Sequence, residues 1–96
     1  MNGGEAEEQR LTIHVVRHTD THPTPLRCVE CFVSKEWAEG RVARLRADQS
    51  GRVESVTLET LPSALVYRTG SGGWAAMVDG QAESLVTGPE PTIFRR

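Results

Sequence analysis

The sequence predicts an α+β domain: a mostly antiparallel sheet of five to six strands, with one amphipathic helix packed on one face, in the order ββαββββ. Three observations lead there. Leu11 to Arg17 reads as a first strand, with Leu11, Ile13 and Val15 at the two-residue period of a half-buried face. Leu26 to Val33 is rich in β-branched and aromatic residues and runs directly into a capped helical pattern. After Gly51, short apolar runs alternate with glycine and proline punctuation.

In chain order, Met1 to Gln9 is small, polar and acidic, and is expected to be a disordered tail over residues 1–9. The domain is expected to span residues 10–87. In the first strand Leu11, Ile13 and Val15 share one face; Thr12, His14 and Val16 share the other. His18 to Pro25 is expected to be a loop, because Asp20, Pro23 and Pro25 break a ladder. The second strand, Leu26 to Val33, then returns antiparallel to the first.

Ser34 is placed to cap a helix, its hydroxyl accepting from an orphan N–H of the first turn. Ala38, Val42 and Leu45 fall at helical spacing and form one apolar stripe flanked by Trp37. Glu36 suits the positive end of the helix dipole; Arg44 and Arg46 suit the negative end. Gly51 is the expected stop. Gly40 lies mid-helix at a cost of about 1 kcal/mol relative to Ala, and a close helix–sheet approach is the expected reason.

A third strand runs from Arg52 to Leu61 and stops at Pro62; a fourth covers Ala64 to Thr69. Gly70-Ser71-Gly72-Gly73 turns the chain into a fifth, Trp74 to Val78. Asp79-Gly80 is a hairpin signal leading to a sixth, Gln81 to Val86. Residues 88–96, with Gly88-Pro89-Glu90-Pro91 and then Thr92-Ile93-Phe94, are expected to be an extension docked on a sheet edge.

Composition narrows the function classes. The formal charge is −2, but Glu5, Glu7 and Glu8 sit in the tail; the rest holds eleven basic and ten acidic residues. A near-neutral body offers no field for nucleic acid or an anionic membrane. No apolar run reaches the roughly 18–20 residues of a bilayer span, and no secretory leader follows Met1, so a cytoplasmic location is expected. Two cysteines are too few for a disulfide scaffold.

All the histidines and cysteines, His14, His18, His22, Cys28 and Cys31, fall within one short stretch. Zinc favours these donors, and Cys-x-x-Cys is half of a common zinc site. On an extended strand, however, residues three apart face opposite ways, about 10 Å from each other, whereas a disulfide needs Cα atoms within about 7 Å. The strand reading therefore sends the two thiols apart. A nucleophilic Cys31 near the helix start lacks any spacing that ties it to a base. Gly70-Ser71-Gly72-Gly73 lacks the lysine of a phosphate loop.

No catalytic residue and no cofactor is expected. The leading expectation is a small non-enzymatic binding or regulatory accessory protein whose partner is itself, as a homodimer, or another protein. The contact surface is drawn from Trp37, Arg41, Arg44 and Trp74. Arg41 is expected to lie over the Trp37 indole, and Trp74 to meet Tyr67 across the glycine turn. The motivation is an open sheet whose edges and second face remain free, with Val16, Val29 or Phe32, and Val66 or Met77 on that face. The alternative is a zinc-binding or thiol-redox protein built on the histidine and cysteine cluster. A third reading is an enzyme or carrier with Arg41, His14 and Glu54 in a pocket between helix and sheet.

Overall fold

The computed structural model describes residues 8–87. Residues 1–7 of the expected tail and the expected C-terminal docking over 88–96 lie outside the described residues, while Gln9, expected in the tail, begins the first strand opposite Val66. Among the described residues there are five strands and one helix: β1 (Gln9–Asp20), β2 (Leu26–Phe32), α1 (Lys35–Ala47), β3 (Val53–Arg68), β4 (Trp74–Val78) and β5 (Gln81–Val86). The strands close into a barrel in the order β1-β2-β5-β4-β3, with β3 returning to β1. The open α+β sheet expected from sequence is thus corrected to a mostly β closed barrel, with α1 against its outer wall.

Two β-bulges account for the difference. Leu11 pairs with Ala64 and Ile13 with Leu61, so Thr12 alone stands opposite Pro62 and Ser63. A bulge is one of the few places a strand accepts proline. Pro62 therefore bends β3 without ending it, and the expected third and fourth strands are one. Arg17 pairs with Thr57 and Thr19 with Glu54, so His18 alone stands opposite Ser55 and Val56. Ser55 takes the left-handed conformation, φ 59°, that a bulge of this kind requires. Each bulge sharpens the twist, curling the β1/β3 ribbon until β4 and β5 complete the ring. The last seam is one short parallel pairing, Cys31 with Leu85 and Phe32 with Val86, extended by Val33 N–H donating to the Val86 carbonyl at 3.1 Å.

The barrel interior holds Ile13, Val15, Cys31, Ala64, Val66, Ala76, Val78 and Leu85. Small side chains suit so narrow a cylinder. A second cluster lies outside the wall, where Val16 and Phe32 meet Ala38, Val42 and Leu45 of α1, with Val53 and Val56 at its margin. Val16 and Phe32 are therefore covered by the helix, and Val66 is inside the barrel. The free second face on which a partner was expected to rest does not exist.

Local signals behave as the sequence implies. Ser34 caps α1 by accepting from the Trp37 N–H at 3.2 Å. Ser34→Ala is expected to cost about 1 kcal/mol, read as a lower urea midpoint with an unchanged slope. Asp79 and Gly80 both have positive φ, 53° and 81°, as a type I′ hairpin demands. The helix ends earlier than expected, at Ala47 with Asp48 as C-cap; Gly51 instead serves the turn before β3 with φ 80°. Gly40 is the sharper correction. A Cβ built there meets nothing within 4 Å, so no close approach to the sheet requires it.

Tyr67 pairs with Ala75 and Arg68 with Trp74, so the two aromatics are not cross-strand partners. The Arg68 guanidinium lies 5.6 Å from the Trp74 ring centre instead. No helix among the described residues is long and apolar enough to cross a membrane.

Candidate functional site

The antiparallel ladder of β1 and β2 builds the site from the strand period. His14 pairs with Phe32, Val16 with Glu30, and His18 with Cys28. Residues directly opposite share a face, so these six side chains form two adjacent columns on the outer wall. Val16 and Phe32 feed the apolar cluster under α1. His18 and Glu30 continue the same columns as polar groups.

Arg41 descends from α1 and grips the Glu30 carboxylate with two hydrogen bonds, Nε to Oε1 at 2.7 Å and Nη2 to Oε2 at 3.0 Å. His18 approaches the same carboxylate, Nε2 to Oε2 at 3.2 Å. These contacts hold the Glu30 carboxyl below the usual carboxylate range; the Arg41 hydrogen bonds contribute most, against the opposing effect of burial, and His18 adds to them. An ionised carboxylate only accepts. Nε2 of neutral His18 therefore carries the proton, and Nδ1 is left with a lone pair. That Nδ1 is buried and has no partner among the described residues. His18 is only 7% exposed.

Two clefts flank this array. One, of about 520 Å³, lies between α1 and β2 and is lined by Glu30, Phe32, Glu36, Trp37, Gly40, Arg41 and Arg44. Trp37 forms its apolar wall and remains 46% exposed. The other, of about 360 Å³, includes His18, Cys28, Arg17, Thr19 and Arg27, with Ser55 and Thr57 from the bulged part of β3.

The residues singled out from sequence separate as follows. Cys31 points into the barrel and Cys28 toward the second cleft; both thiols are free. Burial, seconded by Glu83, pushes the Cys31 thiol up to about 11, so it stays protonated at neutral pH. His14 is buried with Nδ1 3.1 Å from Thr60 Oγ1, and His22 is exposed in the β1–β2 loop. Among the described residues, no group of three or more His, Cys, Asp or Glu side chains is arranged to hold a metal ion. The five expected ligands thus do not converge. Glu54 is exposed on β3 and does not line the helix-side cleft. Arg41 and Arg44 do line it, while Trp74 packs against the barrel core elsewhere. Arg41 spends its guanidinium on Glu30 rather than on the Trp37 indole.

Glu30 is the functional residue that sequence reasoning missed. A carboxylate at even spacing from Cys28 and Phe32, on a strand face expected to pack, is a flag for a partnered charge. No family model matches the chain, and neither a curated protein nor a solved structure matches it.

Proposed function

We propose that the chain is a small non-enzymatic accessory protein that acts through protein–protein contacts, and that its partner is a second copy of itself joined through the outer face of α1. The observation that carries this reading is Gly40. It weakens the helix by about 1 kcal/mol, no neighbour in the fold requires it, and it lines the helix-side cleft together with Trp37 and Arg44. A residue without a side chain at that point lets another helix come close.

The charges around Gly40 support the same partner. Glu36 stands four residues before it and Arg44 four after; all three line the cleft. Two copies of α1 crossing antiparallel at Gly40 bring Glu36 of each chain against Arg44 of the other. A twofold contact of this kind is self-complementary. Trp37 supplies the buried aromatic anchor that such interfaces favour. Arg44 forms no ion pair among the described residues, so its charge is available.

Sedimentation equilibrium is expected to give twice the chain mass. Glu36→Arg places like charges at both ends of the crossing and is expected to weaken the dimer at least tenfold, about 1.4 kcal/mol. Gly40→Gln is expected to raise the unfolding midpoint of the monomer while weakening the dimer, because it improves helix propensity and blocks the approach. A monomer at every concentration, or a dimer indifferent to both substitutions, would overturn the reading.

A further inference from the structure

The ladder brings one histidine and one cysteine together that no sequence spacing linked. His18 and Cys28 are register partners on β1 and β2 and line the same cleft. Directly opposite residues have Cβ atoms about 4.5–5.5 Å apart on a common face. The Cys28 thiol now donates to the Leu26 carbonyl at 3.7 Å. A reaction with the imidazole requires the thiol to rotate about its Cα–Cβ bond away from that carbonyl.

We propose that Cys28 is a reactive thiol served by His18, and that the cleft beside it takes a small disulfide bearing carboxylate groups. The unpartnered Nδ1 is the acceptor that a thiol proton needs, and the nine-tenths burial of His18 fixes its ring. Glu30 holds the Nε2 proton and stabilises the imidazolium that forms, while Arg41 holds Glu30 in place. This chain of base and orienting carboxylate is the general arrangement for activating a nucleophile.

The charged groups facing the cleft set the ligand class. Arg17 is committed to Glu59 and to Asp79, and Asp79 also lines the cleft with its charge met by Arg17. Arg27 has no ion pair among the described residues and lines the cleft beside Cys28. It is the cation available to a carboxylate. Thr19, Ser55 and Thr57 add hydroxyl donors. Cys31, sealed in the barrel, takes no part.

The step balances without another reagent. The Cys28 proton passes to His18 Nδ1, and the thiolate attacks one sulfur of the disulfide. A bond forms between Cys28 Sγ and that sulfur as the original S–S bond breaks. The departing thiolate takes the proton back from His18 and leaves as a thiol. Cys28 is oxidised to a mixed disulfide, and the released sulfur is reduced. The reacting pair, His18 and Cys28, lies in a different cleft from the proposed α1 pairing, whose own cleft is lined by the supporting groups Glu30 and Arg41.

The test incubates the full chain with oxidised glutathione and follows adducts by mass spectrometry. One adduct per chain is expected, on Cys28, forming about tenfold faster at neutral pH than on N-acetylcysteine. His18→Asn is expected to remove that advantage. Cystamine, a cationic disulfide, is expected to react more slowly than oxidised glutathione, with the order reversed in Arg27→Glu. Should His18→Asn fail to fold, Glu30→Gln decides: it loosens the hold on the imidazole and is expected to slow the Cys28 adduct several-fold, and an unchanged rate would overturn the proposal. An adduct on Cys31, a rate no greater than that of N-acetylcysteine, or a rate indifferent to His18→Asn would overturn the proposal.

Discussion

Ile13→Ala is expected to remove about 3 kcal/mol of stability, a large part of the roughly 5–15 kcal/mol available to a domain of this size. Ile13 is fully buried and stands in the barrel interior. Its neighbours there are mostly Val, Ala and Cys, short side chains with little freedom to swell into a void. The chain holds two Trp, one Tyr and two Phe, and none of the fully buried core residues of the barrel is aromatic. The lost methyl groups therefore leave a cavity as well as a lost transfer contribution. Urea unfolding followed by circular dichroism is expected to show a lower midpoint with the same slope. Leu26→Ala serves as the control. Leu26 is 63% exposed on β2, and its loss is expected to cost under about 0.5 kcal/mol. Equal effects at the two positions would mean that Ile13 does not face the interior.

Glu30→Gln is the second large effect, about 1–2 kcal/mol. The amide presents its NH2 group to donors on Arg41 and His18, so one bidentate grip is lost and two donors face a third. Breaking a fully buried pair costs more, about 3–5 kcal/mol. Arg41 is 37% exposed, so solvent screening reduces the figure here. The pH dependence has a definite sign. The folded carboxyl of Glu30 lies below its ordinary value near 4.5. Its contribution is therefore fully present above that value and is lost as the pH falls through the lower, folded one. Wild-type stability is expected to decline over that acid range, and Glu30→Gln to flatten that part of the curve. Parallel acid limbs for the two proteins would contradict the role given to Arg41. On the alkaline side Cys31 acts with the opposite dependence. Its thiol is raised from 9.0 to about 11, so its contribution is complete below 9.0 and is lost as the pH climbs toward 11.

What the chain disclosed in advance follows the range of the forces involved. The helix from Lys35, its Ser34 cap, the Asp79-Gly80 turn and the opposite facing of Cys28 and Cys31 depend on neighbours a few residues away. Each is legible from period and capping chemistry. Barrel closure depends on contacts between distant segments. The β2–β5 seam joins Cys31 and Phe32 to Leu85 and Val86 across most of the domain, and a parallel pairing that short leaves no mark on composition. Pro62 misled because proline ordinarily ends a strand; the residue opposite it, Thr12, decides otherwise by accepting a bulge. The same device moved His18 from an expected loop into the ladder. A hairpin register set from the Pro23–Pro25 loop would have placed His18 beside Cys28 and near Glu30. Reading His18 only as a possible metal ligand concealed that pairing.

Gly40 makes a parallel point. Its cost to the helix was evident from sequence, but its purpose was not, because only the fold shows that no residue presses against it. An unused gap in the middle of a surface helix, with opposite charges disposed evenly on either side, is what the proposed pairing of α1 rests on.

The most direct measurement mixes two damaged chains. Glu36→Arg and Arg44→Glu should each be largely monomeric alone at a concentration where the wild type is dimeric. Combined in equal amounts, they should sediment as a one-to-one heterodimer, because the two acquired charges then meet each other at one end of the helix crossing and the native Glu36 and Arg44 meet at the other. Two variants that stay apart on mixing, or that each dimerise as well as the parent, would contradict an antiparallel pairing of α1 about Gly40.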